Sequence, residues 1–324
     1  MPSTVDAAII DALGLDAANT TMTAHAGSAF SSTFKLSSTL DGRPVDYFVK
    51  TGTGPASDLM FRGEHASLNA IHSVVPDLCP QSHAHGAMST PDEFFLATDF
   101  VHFGGREAPD APRLSLAAKL AKLHSTPAPT PSGHAGPAFG FPVPTCCGST
   151  PQDNSWRASW ADFYANNRLR AIMRACAASN GADAELTQAV ERVASHVVPR
   201  LIGDNRVAAI VPVVVHGDLW SGNQACGRIA SRSGSEHIIF DPSAVYAHSE
   251  YELGIMHMFG GFSSAFWSEY HELVPKMEPQ SEWRDRVLLY ELYHHLNHLA
   301  LFGGGYRGGA MSIMKKLTAK YGSG

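Results

Sequence analysis

The stretch that decides the fold is Val213-Val214-Val215 followed by His216-Gly217-Asp218-Leu219-Trp220-Ser221-Gly222-Asn223. Three β-branched residues in a row predict a short buried strand, and the Gly, Ser and Asn that follow predict a tight turn at its end. The turn presents a carboxylate, Asp218, and a carboxamide, Asn223. Such a pair suits phosphoryl transfer, which needs a carboxylate near the acceptor hydroxyl and an oxygen ligand for the magnesium that neutralises developing charge. Taken alone, the same composition fits an ordinary exposed turn, so its surroundings decide the reading.

Downstream, a second apolar strand, Ile238-Ile239-Phe240, ends at Asp241-Pro242, where a second metal-binding oxygen is expected. An H-x-D-x-x-x-x-N turn followed by a strand and an aspartate is the order found in kinase catalytic segments. Protein kinases continue with Phe-Gly; here Pro242-Ser243 follows. Upstream, Lys50 closes the predicted strand Tyr47-Phe48-Val49, from which its ammonium can reach ATP phosphates, and Glu64 lies in the next predicted helix, placed to orient it. Thr98, Asp99, Phe100 and Val101 are expected to form the hinge against which adenine docks. The phosphate loop is assigned to 26–31, with Gly27 and Ser28 as contacts, and its single glycine makes a weak cradle. Each of these residues alone is weak; in this order they make a complete phosphotransferase site.

The flanking pattern agrees. Alternation over 21–50 with the turn Leu40-Asp41-Gly42-Arg43-Pro44 predicts a hairpin, 55–75 a helix ending at Pro76, and 94–100 another strand. Helical spacing then recurs at 114–124, 156–179, 182–202, 251–259, 263–274, 282–302 and 310–321. Residues 125–151 hold many of the prolines and glycines and read as a long ordered loop or lid, with Phe139-Gly140-Phe141 as its anchor. Residues 227–235, rich in Gly and Ser, read as a loop between the two apolar strands. The expected fold class is α+β: a bilobal chain with a small sheet-rich N-lobe at 1–101 and a larger helical C-lobe at 102–324.

Composition narrows the partners. A chain of 324 residues with 44% hydrophobic and 17% charged content can bury a sizeable core and fold unaided. Its net charge of -6, with no clustered Lys/Arg window, argues against a nucleic-acid partner. No apolar run is long enough for a membrane span, and Asp6, Asp11 and Asp16 make the first residues a short amphipathic helix, not a secretory signal. Five cysteines without scaffold spacing point to a reducing, cytoplasmic compartment, with organelle import left open. A monomer is expected.

Beyond these elements the chain resembles the fructosamine/ketosamine-3-kinase family. The similar stretches are His216–Asn223, Asp241-Pro242-Ser243-Ala244-Val245-Tyr246-Ala247-His248-Ser249-Glu250-Tyr251-Glu252-Leu253, Met258-Phe259-Gly260-Gly261-Phe262, Glu64-His65-Ala66-Ser67-Leu68 and Thr150-Pro151-Gln152-Asp153-Asn154-Ser155-Trp156. The resemblance implies a protein-kinase-like fold related to aminoglycoside phosphotransferases. It also implies ATP and magnesium as cofactors and phosphorylation of the O3 hydroxyl of a ketosamine, on a small molecule or a glycated protein. On that pattern Asp218 is the catalytic base, Asn223 and Asp241 hold magnesium, and Lys50 holds phosphate. Trp220, His216, His248, Glu250 and His298 are assigned to the substrate, with Trp220 as a platform for the sugar or its amine, and Glu252 supports the loop. A ribulosamine substrate is expected over a fructosamine. The alternatives are an aminoglycoside, choline or homoserine kinase of the same fold, or a nucleotide-binding protein without turnover.

Two features are read blandly. His294, His295 and His298 share a helix at i, i+4 spacing, but no companion Cys or acidic pair completes a site, so packing or a polar contact in the substrate pocket is expected instead of zinc. Cys146-Cys147 reads as two small buried side chains. Some relatives carry a cysteine where Ala29 stands, so no disulfide-linked dimer through that loop is expected.

Overall fold

The structure is a computed structural model that describes residues 5–25, 31–104, 114–207 and 210–322. Gly27 and Ser28 lie outside the described residues. Helix α1 (Ala7–Leu13) starts at Asp6, whose carboxylate accepts from Ala8 N, and precedes strand β1 (Thr21–His25). Strands β2 (Ser32–Leu40) and β3 (Arg43–Thr53) form the expected hairpin. Its turn residues Asp41 and Gly42 both take positive φ, 51° and 75°, as a two-residue hairpin turn requires. Helix α2 (Pro55–Val74) opens on proline, and β4 (Ser82–Ala87) and β5 (Glu93–Asp99) complete an antiparallel sheet in the order β1-β2-β3-β5-β4. Ile9, Leu36, Val49 and Phe95 form the core between this sheet and α1.

At Phe100 the chain leaves that sheet, and β6 (Val101–Phe103) joins a smaller one. The remaining elements are α3 (Leu116–Ser125), β7 (Thr145–Cys147), β8 (Thr150–Gln152), α4 (Trp160–Phe163), α5 (Ala171–Asn180), α6 (Ala184–Arg192), α7 (Val198–Ile202) and β9 (Val213–Val215). They continue through β10 (Gln224–Ile229), β11 (Glu236–Ile239), β12 (Val245–Ala247), α8 (Ser249–Phe259), α9 (Ser264–Leu273), α10 (Trp283–Phe302) and α11 (Arg307–Tyr321). Segments Tyr164–Arg170 and Val193–Val197 are helical turns of wider pitch that carry α4 into α5 and α6 into α7. No described helix is long and apolar enough to cross a membrane.

The helical part is organised around α10, which buries residues on all sides, among them Tyr290, Tyr293 and Leu296. Tyr290 Oη accepts from Trp160 Nε1 at 2.8 Å and bonds His248 Nδ1 at 2.8 Å, so three elements share one buried hydroxyl.

Two expectations change. Residues 227–235 are not simply a loop: β10 starts at Gln224 and pairs with both β11 and β6. Residues 125–151 do not hang over the molecule as a lid. Pro127 bridges to Val213 and Gly140 to Tyr246, and Phe139 and Phe141 are buried. Helix α2 also rests on this segment at Gly63, where an added Cβ would lie 2.8 Å from the Pro144 carbonyl.

Candidate active site

Strand β9 is fully buried and pairs with β12, Val215 opposite Val245, which fixes where the following turn emerges. Gly217 has φ 82°, and a Cβ there would stand 2.2 Å from Ser243 O, so the turn admits only glycine. Buried Glu252 on α8 accepts from the backbone amides of His216 and, at 2.9 Å, Gly217. Burial alone would raise its carboxyl, but hydrogen bonding and the charges of His124 and His216 hold it below the usual range.

His216 is fully buried. Its Nδ1 accepts from Asp218 N at 3.2 Å, so Nε2 carries the proton donated to Phe240 O at 2.9 Å. This ring ties the catalytic turn to the end of β11 and faces no substrate, which corrects its assignment. Asn223 is buried and donates Nδ2 to Asp218 O at 2.9 Å, with Oδ1 as its side-chain oxygen for a cation.

Asp241 follows β11 in a left-handed conformation, φ 56°, uncommon outside glycine and found where function holds a strained residue. Its Oδ1 accepts from Lys50 Nζ at 2.7 Å. The same ammonium bonds both oxygens of Glu64, at 2.8 and 2.9 Å. Lys50 is buried; desolvation works against its charge, but Asp241 and Glu64 prevail and hold it protonated well above the ordinary lysine value.

Lys50, Glu64 and Asp241 line a cleft of about 490 Å³ shared with Phe48, Phe240 and the predicted hinge, Thr98 to Val101. Within the hinge the Asp99 carboxylate is committed to β4, accepting from Gln81 N at 3.0 Å and pairing with His83 at 2.9 Å. Asp99 therefore offers the cleft its backbone. Larger surface grooves along α6 and between α6 and α11 hold none of these groups.

Asp218 is half-buried beside the cleft. Burial pushes its carboxyl up to about 8; the Cys147 thiol hydrogen-bonded to it lowers it, while the charges of Asp241 and Glu252 raise it further. Neither Cys147 nor His294, which also approaches Asp218, was assigned to the site from sequence.

Trp220 is exposed and folds over Gly222, where a Cβ would lie 2.1 Å from the indole. From Trp220 an aromatic row continues through Phe259 (5.8 Å between ring centroids) to His298 (5.2 Å from Phe259), which also meets Tyr306 at 5.0 Å. His248 and Glu250 do not join this surface. His248 is buried against Tyr290, and burial drops its pKa to about 4, while Glu250 accepts from Arg286 Nε at 2.7 Å and Met277 N at 2.9 Å. Both clamp α8 to its neighbours, because buried polar groups of this size need fixed partners, and their assignment to substrate is corrected.

A sheet-rich part and a helical part, with a lysine–glutamate pair in one facing an aspartate-bearing turn in the other, define the protein-kinase-like phosphotransferases. The chain belongs to the fructosamine kinase family, whose model matches residues 1–320. It is 36% identical over 314 residues to mouse (Mus musculus) ketosamine-3-kinase, covering 91% of this chain and 94% of that one. It is also 36% identical over 270 residues to the chloroplastic protein-ribulosamine 3-kinase of Arabidopsis thaliana, covering 83% and 74%. Among solved structures, a candidate fructosamine-3-kinase from Thermobifida fusca superposes with a TM-score of 0.75 at 25% identity, over 98% of this chain and 99% of that one. An aminoglycoside phosphotransferase solved with GDP and kanamycin shares the fold alone, at a TM-score of 0.53 and 12% identity over 92% and 93%.

Proposed function

We propose that the protein is an ATP-dependent kinase that phosphorylates the O3 hydroxyl of ketosamines, the ribulosamine and fructosamine adducts of lysine, free or on proteins. The observation that carries this reading is the Lys50 ammonium, bonded at once to Glu64 and to Asp241 beside the Asp218 turn. Names of relatives at 36% identity supply the substrate class.

Nucleotide fits the cleft between the hinge and Phe240, with its phosphates toward Lys50. The oxygens of Asn223 and Asp241 are the hard donors that magnesium takes, and a metal held there would neutralise charge on the transferred phosphoryl group. Asp218 orients the sugar hydroxyl and accepts its proton, an effect of about 10²- to 10⁴-fold. Glu252 and His216 hold the turn so that Asp218 is placed before substrate arrives. Trp220 offers an indole face to a protonated ketosamine nitrogen. The free thiols fit a reducing compartment such as the cytoplasm.

The test is ATP consumption with ribuloselysine, fructoselysine, an aminoglycoside and choline, using wild type and Asp218→Asn. Turnover of the two ketosamines alone, lost in the variant, is expected. Preference for the aminoglycoside or choline would overturn the substrate class; undiminished turnover by the variant would remove Asp218 from the chemistry.

A further inference from the structure

We propose that Cys147, Asp218 and His294 form a zinc site, separate from the oxygen donors Asn223 and Asp241, and that zinc bound there withdraws Asp218 from catalysis. In sequence no Cys or acidic pair completes a metal site around His294, His295 and His298, but the fold brings partners to His294. One ligand atom each from Cys147, Asp218 and His294 lie within 4.8 Å of one another. Three separate elements contribute: the end of β7, the catalytic turn and the middle of α10.

His294 is the independent pointer. It is 1% exposed, and neither ring nitrogen has a hydrogen-bond partner among the described residues. Buried imidazoles are ordinarily satisfied, because leaving such a group dry and unpaired costs free energy. Here the ring is held in place, stacked on Tyr251 at 6.0 Å with 30° between planes. Cys147 is tied to the same helix, since Asn297 Nδ2 donates to its carbonyl at 3.2 Å. Two of the three ligands therefore belong to one braced unit, and the third is the half-buried Asp218.

Charge and donor type select the ion. As the metal bonds form, the Cys147 thiol and the protonated Asp218 carboxyl both release their protons to solvent. Thiolate and carboxylate then cancel a divalent charge, and the neutral imidazole adds none, so the complex enters a buried place without net charge. Sulfur and imidazole nitrogen favour zinc over magnesium, whereas Asn223 and Asp241 offer only oxygen. Zinc bonds of about 2.0 to 2.3 Å are shorter than the spacing of these ligand atoms requires, so binding draws the three ligands inward. Three protein ligands leave the fourth position to a water molecule.

Cobalt(II), a spectroscopic stand-in for zinc, titrated into the full chain tests this. One equivalent with a thiolate-to-cobalt charge-transfer band and tetrahedral d–d absorption, displaced by zinc, is expected. Cys147→Ala should abolish the charge-transfer band, and His294→Gln should weaken binding at least about tenfold. Cys146→Ala and His298→Gln should do neither, and melting curves show whether each variant is folded. Should Cys147→Ala not fold, Cys147→Ser gives the same reading. Zinc should also inhibit turnover at saturating magnesium and ATP, reversibly by chelator. An octahedral cobalt spectrum without the sulfur band, or a band that survives in folded Cys147→Ala, overturns the proposal. Because the cobalt reading does not use ketosamine turnover, it stands or falls apart from the substrate assignment.

Discussion

Lys50 and Asp241 stand 191 positions apart in the chain, and their side chains meet at 2.7 Å. The contact joins the interior of β3 to the turn that follows β11, and the sheets of these two strands share no strand. An ammonium already shared between Glu64 and Asp241 is a pre-placed phosphate ligand, since neither carboxylate needs to move far to release it to nucleotide.

Lys50→Met should lower kcat/KM at least about 100-fold, because the charge that would meet the transferring phosphates is gone. It should also destabilise the protein by about 3 kcal/mol, since Glu64 is left buried without its cation. Activity and denaturant unfolding measured on one preparation check both. Glu64→Gln should be milder, raising KM for ATP more than it lowers kcat.

Asp218→Asn should lose turnover yet gain stability as pH rises. The folded-state carboxyl titrates near 8 and the ordinary value is 3.8, so between these limits the native state holds a proton that the unfolded chain has lost. Stability from this group therefore falls as pH rises through that window, and asparagine escapes the loss. The Tm advantage of the variant over wild type should be larger at pH 8 than at pH 5; a constant gap would contradict the shift. For wild type, kcat/KM should rise with pH as the base form fills, and bound magnesium should move that rise to lower pH.

Gly217→Ala should cost more than Gly42→Ala. Both positions have positive φ, but a Cβ at 217 meets Ser243 O at 2.2 Å, whereas nothing lies within 4 Å at 42. The second variant reports conformational strain alone, about 1 kcal/mol. The first adds a backbone collision and should both unfold earlier and lose kcat.

Trp220→Ala and Phe259→Ala should raise KM for a ketosamine and leave KM for ATP unchanged, because neither ring lines the cleft that holds Lys50 and Asp241. An effect of about 5- to 30-fold is expected for Trp220 if its indole meets a cation. Equal loss of affinity for both substrates would instead mean that Trp220 only packs the turn through Gly222.

The parts of the site legible in sequence are those whose chemistry is local. His216 to Asn223 carries its spacing within one turn and Asp241 follows an apolar strand, while Lys50 and Glu64 lie inside β3 and α2, whose patterning the sequence shows. His248 and Glu250 misled because buried polar residues and site residues look alike in one dimension; only Tyr290 and Arg286, arriving on α10, show that His248 Nδ1 and the Glu250 carboxylate are engaged internally. Cys147 and His294 were hidden for the converse reason, since their nearness to Asp218 exists only after α10 and the β7–β8 hairpin pack. Strand β4, Ser82-His83-Ala84-His85-Gly86-Ala87, lacks an apolar signature because it is an edge strand paired only with β5.

Helix α2 is joined to the helical part along a shared apolar core, in which Leu68 and Ile71 pack with Val214, Leu219 and Ile239, besides Gly63 seated on Pro144 and Ser67 Oγ accepting from Ala244 N at 3.0 Å. The covalent crossing at Phe100 lies elsewhere on the boundary. Because that core runs on from α2 to Ile239, two residues before Asp241, the packing that builds the helix also sets the register in which Lys50 and Asp241 meet.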